Sequence, residues 1–416
     1  MLAHERFDVY ESLVLNNAQE GSLIYAPIFR QAFLFNLHDS QNEEFAKNTS
    51  PSGAVPKKEK IEFPKKRAIK RVAFFSDELF LAEIMAGFQR IGVSPLKLQM
   101  PQKSRINASL STRQLEEVDF VEEMLRGRFK KNLFNSIRQQ FSLINSMIYP
   151  FYKILREKNV DAVALRCYYI AGYFPLIMAC KMLGVTVIDV QHGINGLRHL
   201  GYSKISGVEV SSPFLPDIFW SWSALSTLML RNKSLIDEVG RIIEGGHPVI
   251  TDSVQNRVAP RKNLVNTGKI LYTHQPKSKG APIPLREIKA LSELLHKYVT
   301  VRPHPLHCDE GLAALSELRN YGVSCLWEDP RNTQINESLA NTSVHVTFAS
   351  TCALDALNFG VPTVYASDYI GEVEKFLGTG LMFNLREFVD RPVTRDSDKA
   401  IDYSVGDREK MDKAVC

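Results

Sequence analysis

The chain lacks the cysteine spacing that would mark a redox pair or a metal site. Its six cysteines, Cys167, Cys180, Cys308, Cys325, Cys352 and Cys416, are scattered and form no CxxC. Most sit in apolar runs, where a free thiol behaves as a small hydrophobe, and this argues for a reducing, cytoplasmic compartment. His304 and His307 lie three apart beside Cys308, but a zinc would need ligands from elsewhere, so no metal and no cofactor is expected. Met1 to Arg6 is not a basic start to an apolar run, so no signal peptide is expected. A nearly wholly apolar segment, Tyr169 to Leu183, is 15 residues long, short of the roughly 20 a membrane span needs. Flanked by strand-like runs, it reads as a crossover helix of a parallel sheet.

A large excess of either charge is also lacking. The net charge is +5, and much of it comes from the run Lys57 to Arg71. Such a run reads as a solvated linker, while its Ile61, Phe63 and Ile69 would also suit docking on an anionic inner-membrane face. Interleaved aromatics and groove-fitting motifs are missing, so nucleic acid is not an expected partner.

What is present is alternation. At 416 residues, with 44% hydrophobic and 23% charged side chains, two soluble domains are the natural expectation. Leu23–Phe29, interrupted by Pro27, reads as a first strand, and residues 38–70 as a mobile polar and basic loop. Strand signals follow at Arg71–Asp77, Val160–Arg166, Val185–Val190, Phe214–Ser223 and Arg241–Pro248. Helical periodicity covers Leu79–Ile91, Leu115–Arg156 and Ala224–Arg231. Residues 251–268, polar and aperiodic, read as a hinge. The alternation restarts with strands at Lys269–Pro276, Val299–Pro305, Val323–Trp327 and Ser343–Phe348, and helices at Leu285–Tyr298, Gly311–Tyr321 and Asn332–Ala340. This pattern predicts an α/β chain of two doubly wound domains facing a cleft, 1–250 and 269–416.

Ligands of open α/β sheets gather at the carboxyl ends of strands. In the second half three such ends should share one edge: Thr273-His274-Gln275, Arg302-Pro303-His304-Pro305 and Ser350-Thr351. The last opens a short helix closed by Gly360. Free amides at that turn, two hydroxyls, an imidazole and a cation would suit a nucleotide phosphate. In the first half the strand at Val185–Val190 runs out into Gln191-His192-Gly193-Ile194-Asn195-Gly196, which places His192 for chemistry.

The order Gln191-His192-Gly193-Ile194, His199-Leu200-Gly201-Tyr202, Leu215-Pro216-Asp217, Gly246-His247-Pro248, Arg302-Pro303-His304-Pro305 and Phe348-Ala349-Ser350-Thr351 with Gly360 resembles the GT-B glycosyltransferases of bacterial capsule and surface polysaccharides. Its His-Pro and Ser/Thr elements resemble the donor-phosphate motifs of sialyl- and Kdo-transferases that use CMP-sugars. The resemblance covers about Val160 to Val364. It implies two Rossmann-like domains and transfer of a sugar from a nucleotide-activated donor, CMP-linked by its motifs, to a glycan or glycolipid, without a metal. It also implies that His304, Ser350 and Thr351 bind the donor phosphate, that Arg302 neutralises it, and that a first-domain group serves as base. The Asp/Glu-Asp/Glu-Gly triplet of sialyltransferases is missing, which leaves His192 and Asp217 as candidates, with Asp189, as a buried paired carboxylate, third. Gln191, Gly193 and Asn195 would lie on the acceptor side. A polyol-phosphate transferase, a nucleotide-sugar epimerase or a non-catalytic member of an assembly complex are the alternatives.

Overall fold

The computed structural model describes residues 65–66, 68–75, 85, 88–89, 92–101, 108–124, 131–193, 201–202, 213–222, 224–231, 241–246, 268–276, 281–367, 380–390 and 392. The strand expected at 23–29, the polar stretch at 38–55, most of the basic run, the hinge at 251–267 and Asn195 lie outside them. The described residues form two compact units, each built on its own six-stranded sheet.

The first sheet contains β1 (Arg71–Phe74), β2 (Ser94–Lys97), β3 (Ala162–Arg166), β4 (Thr186–Val190), β5 (Ile218–Ser221) and β6 (Arg241–Glu244). Every pairing is parallel and the order is β2-β1-β3-β4-β5-β6. Alternate residues serve opposite faces. Ala73, Val163, Leu165, Val187 and Phe219 pack on one side with Phe141, Phe151, Phe174 and Ile177, while Phe74, Ala164, Ile188, Val190 and Trp220 pack on the other with Phe88.

Two departures from expectation follow. The strand β2, Ser-Pro-Leu-Lys, was not expected, since Pro95 cannot donate to a ladder; it is tolerated because β2 is the edge strand. The run of helical character over Leu115–Arg156 is helical where it is described, as α1 (Thr112–Met124) and α2 (Lys131–Glu157). The apolar segment from Tyr169 begins as a 3-10 turn at Ala171–Tyr173 and continues as α3 (Phe174–Leu183), ended by Gly184 at φ +67°. A short α4 (Ala224–Leu230) follows β5. None of the described helices is long and apolar enough to cross a membrane.

The second sheet contains β7 (Lys269–His274), β8 (Val299–Pro303), β9 (Cys325–Trp327), β10 (Thr342–Thr347), β11 (Thr363–Tyr365) and β12 (Met382–Phe383). Its order, β9-β8-β7-β10-β11-β12, is all parallel and reverses direction between β7 and β10. That is the 3-2-1-4-5-6 order of a doubly wound nucleotide-binding sheet. The connecting helices are α5 (Leu285–Leu295), α6 (Cys308–Asn320), α7 (Ile335–Ala340) and α8 (Cys352–Leu357), with α9 (Leu385–Asp390) after β12. The expected helix to Tyr298 stops at Leu295 because His296 turns left-handed at φ +51°. The helix expected from Gly311 starts at Cys308, and Gly311 instead marks a close approach: a Cβ there would lie 2.4 Å from Pro303 Cβ.

Candidate functional site

The switch point of the second sheet lies between the carboxyl ends of β7 and β10, and Gln275 joins them. Its Oε1 accepts the Ala349 amide at 2.7 Å. The next amides are also engaged: Ser350 N donates to Thr347 Oγ1 at 3.1 Å and Cys352 N to Ser350 Oγ at 3.3 Å. Ala353 N and Leu354 N donate to the carbonyls of Ser350 and Thr351. The free amides expected at this turn are therefore largely satisfied by the turn itself, and α8 has only six residues. What the turn presents is hydroxyl chemistry, with Ser350 and Thr351 both half-buried.

The other expected donor residues divide by burial. His304 and Pro305 stand exposed just beyond β8, the His304 ring 5.5 Å from that of His307, whose Nδ1 lies 3.2 Å from Glu310. Thr273, His274 and Arg302 are buried. Thr273 Oγ1 bonds His345 Nε2 at 2.9 Å, and His345 Nδ1 bonds Thr363 Oγ1 at 3.1 Å, so Thr273 belongs to a polar tie across three strands. His274 Nδ1 meets the Tyr272 hydroxyl at 3.1 Å. Arg302 pairs with Glu328 at 2.8 Å, and the second oxygen of Glu328 holds Lys269. Burial alone would raise the Glu328 pKa, but bonds from Lys269, Ser338 and Arg302 hold it below the ordinary range. Arg302 is thus already engaged from within, although one carboxylate shared by two cations leaves the group of three a net positive charge. Sequence reasoning passed over Asp355, one turn into α8, whose carboxyl burial pushes up to about 7.

In the first unit β4 delivers Gln191, His192 and Gly193 to its carboxyl edge. Gln191 is buried, donating its Nε2 to Gly193 O at 2.9 Å and its amide to Trp220 O at 2.9 Å. His192 Nε2 lies 3.4 Å from Tyr169 Oη. Burial, with the nearby Arg166 charge, lowers the His192 pKa to about 4, so the ring is neutral at pH 7.

Asp217 stands elsewhere. It precedes β5 at the amino edge, opposite the edge of His192, and lies 2.8 Å from Lys66 and 2.5 Å from Lys181. It also accepts the Val187 amide at 2.8 Å. Burial would raise its pKa, but the two lysines hold it below the usual carboxylate range. This is a clamp between β4, β5 and the end of the basic run, and the structure does not bring Asp217 together with His192. Lys66, part of the stretch expected to be mobile, is tied to the fold by this pair and by a 2.9 Å bond to Val185 O.

Asp189 is fully buried in β4, accepting from Tyr202 Oη at 2.8 Å and from the Tyr168 amide at 3.2 Å. Burial outweighs these bonds and raises its pKa to about 8. The folded chain therefore keeps a proton that the unfolded chain releases, and stability falls as pH rises between about 4 and about 8, by at most about 1.4 kcal/mol per pH unit. Asp189→Asn is expected to flatten that slope and to exceed the parent in stability at pH 8. Denaturant midpoints across the range check this, and a parallel pair of curves would contradict it.

No protein-family model matches the chain, and none of the curated proteins does. Among solved structures, the S. aureus MnaA–UDP co-structure matches at TM-score 0.50 and 13% identity, over 83% of this chain and 95% of that one. UDP-GlcNAc 2-epimerase from Neisseria meningitidis bound to UDP-GlcNAc matches at TM-score 0.45 and 12% identity, over 83% and 96%. The glycosyltransferase SnogD from Streptomyces nogalater matches at TM-score 0.43 and 11% identity, over 84% and 93%. The first of these matches, with the two sheet orders, defines the fold: GT-B, with two Rossmann-like domains.

Proposed function

We propose that the chain is a nucleotide-sugar enzyme that binds its donor at the carboxyl edge of the second sheet and transfers the sugar to a glycan or glycolipid hydroxyl. The observation that carries this reading is the reversal of strand order between β7 and β10, where Gln275, Ser350 and Thr351 gather. A crevice opens outside the sheet at such a reversal, and nucleotides occupy it. Ser350 and Thr351 offer hydroxyls to a phosphate, and His304 an exposed imidazole. His192 is neutral at pH 7 and its ring can accept a proton, while the burial and the Arg166 charge that keep it neutral make it a weaker base than a free imidazole. Asp217, clamped by two lysines, has no part in this reading.

UDP stands beside CMP as a donor nucleotide, since the fold is shared with a UDP co-structure. Thermal shift and calorimetry of the whole chain against UDP, CMP, CDP and GDP test the reading. A bound nucleotide at about 100 times its Kd should stabilise by about 2.7 kcal/mol, and the His304→Ala/Ser350→Ala double variant should lose most of that shift. Binding of none of the four sinks the proposal. An epimerase is the second reading, since the same two-domain frame with histidines at its strand ends would also serve a nucleotide-sugar epimerase, and product analysis separates the two: sugar on an acceptor for transfer, an isomerised nucleotide sugar for epimerisation.

A further inference from the structure

We propose that Tyr169 is the residue through which His192 exchanges a proton with the acceptor hydroxyl. The inference rests on the transferase reading for its substrate, but the pairing itself rests on geometry. The His192 Nδ1 is buried, and its Nε2 is met by the Tyr169 hydroxyl at 3.4 Å. Tyr169 is only half-buried, and the next residue, Ile170, is 42% exposed, so this part of the edge reaches solvent. A phenol is a better donor than a neutral imidazole and the imidazole nitrogen a better acceptor, so Tyr169 Oη donates to Nε2 and the ring keeps its hydrogen on Nδ1.

The phenol is held from several sides. Its ring packs edge-on against Tyr202 at 5.6 Å and 89°, and against Tyr168 at 5.8 Å and 84°. Tyr202 is fixed by Asp189, and Tyr168 Oη donates to the Gly201 carbonyl. Gly201 leaves the space the ring needs, since a Cβ there would lie 2.2 Å from Tyr169 Cδ1. The Cys167 thiol also hydrogen-bonds the Tyr169 side chain, from a backbone at φ +61°. A non-glycine residue in that region, at the end of a strand, is strain maintained by its surroundings. Burial, followed by Cys167, keeps the phenol pKa above that of an ordinary tyrosine, which suits a group that passes a proton on without ionising.

In the step itself, the acceptor hydroxyl gives its proton to Tyr169 Oη as Tyr169 gives its own to His192 Nε2. The acceptor oxygen uses the freed electron pair to bond the sugar carbon, and the nucleotide phosphate leaves with the pair of the broken bond. The proton ends on His192 as imidazolium.

Tyr169→Phe keeps the ring and removes only the hydroxyl. Long-range 1H–15N spectra of the full chain labelled with [15N]histidine, with His192 assigned by its loss in His192→Gln, should show one tautomer, hydrogen on Nδ1, in the parent and a different tautomer balance in Tyr169→Phe. An unchanged tautomer overturns the pairing whatever the nucleotide experiments give. With an active nucleotide sugar, Tyr169→Phe should lower kcat by about 100-fold or more and leave the donor KM within about threefold. A Phe variant with full kcat overturns the relay. If the parent binds no nucleotide yet the tautomer shifts, the functional reading fails and the Tyr169–His192 pair stands.

Discussion

Gly245→Ala is expected to lower the melting temperature of the first domain by about 6 °C or more, a larger loss than a glycine at a turn ordinarily brings. Gly245 directly follows β6, and a Cβ built on it would lie 1.9 Å from Trp220 Cε2 and 2.2 Å from its Nε1. The indole cannot swing away cheaply: it is 3% exposed, packs near Phe88, and donates its Nε1 hydrogen to Gly246 O at 2.8 Å. The backbone cannot yield cheaply either, since the amides of Gly245 and Gly246 both donate to Ser221 O. Overpacking of this kind costs typically 1–3 kcal/mol, and here the displaced indole would also strand a buried N–H, adding about 1–3 kcal/mol. Differential scanning fluorimetry checks it, with Trp220→Phe as the informative partner. Removing the indole should make the Gly245→Ala cost markedly smaller, and equal losses in both backgrounds would show that the contact is not the cause.

Gly245 was legible in the sequence only as the end of the strand signal Arg241–Pro248, and its neighbour Gly246 only as part of a motif. Gly246-His247-Pro248 entered as an element of a family resemblance. The structure assigns Gly245 to the passage of an indole and Gly246, at φ +82°, to a left-handed turn. The same division runs through the site. Strand ends were readable because β4, β7, β8 and β10 are rich in β-branched residues and have clear stops, and the residues after those stops do lie at carboxyl edges. Which of them face outward was not readable, because both faces of these strands are buried, and the polar alternation of β8 and β10 marks no solvent side. Thr273 and Arg302 were therefore indistinguishable in sequence from presented residues, and it took the positions of His345 and Glu328 to show them engaged inside. The ion pairs of Asp217 were hidden by distance along the chain. Its clamping lysines lie 36 and 151 positions away in the chain, and no local pattern announces them. Tyr169 was overlooked because it opens an apolar segment and reads as packing. Only the arrival of Gly201 and His192 beside it gives it another use.

His345→Leu is expected to cost about 3–5 kcal/mol and to change the acid limb of stability. His345 is fully buried in β10, the central strand at the switch point, and joins Thr273 of β7 to Thr363 of β11 through its two ring nitrogens. Leucine fills a similar volume but leaves two hydroxyls unsatisfied, each costing about 1–3 kcal/mol. The neutral ring suits both bonds: one nitrogen donates, the other accepts, and each threonine hydroxyl rotates to match. Burial lowers the His345 pKa to about 3, so the unfolded chain, with an ordinary histidine near 6.5, binds the extra proton first as pH falls. The contribution of His345 to stability is thus fully present above about pH 6.5 and is lost as pH falls toward about 3. Denaturant unfolding of the parent and the variant should show the gap between them widest at pH 7 and narrowing below pH 6. A gap that is constant with pH would mean that folding leaves the His345 pKa unchanged, and a gap that widens as pH falls would mean that the ring is protonated in the fold and donates from both nitrogens, with Thr273 and Thr363 both accepting. Because Thr273 immediately precedes His274 and Gln275 at the proposed donor edge, the same variant should weaken nucleotide binding without removing any group that touches the nucleotide. His345→Asn, which can still bond one threonine, should recover part of the stability and of the binding together.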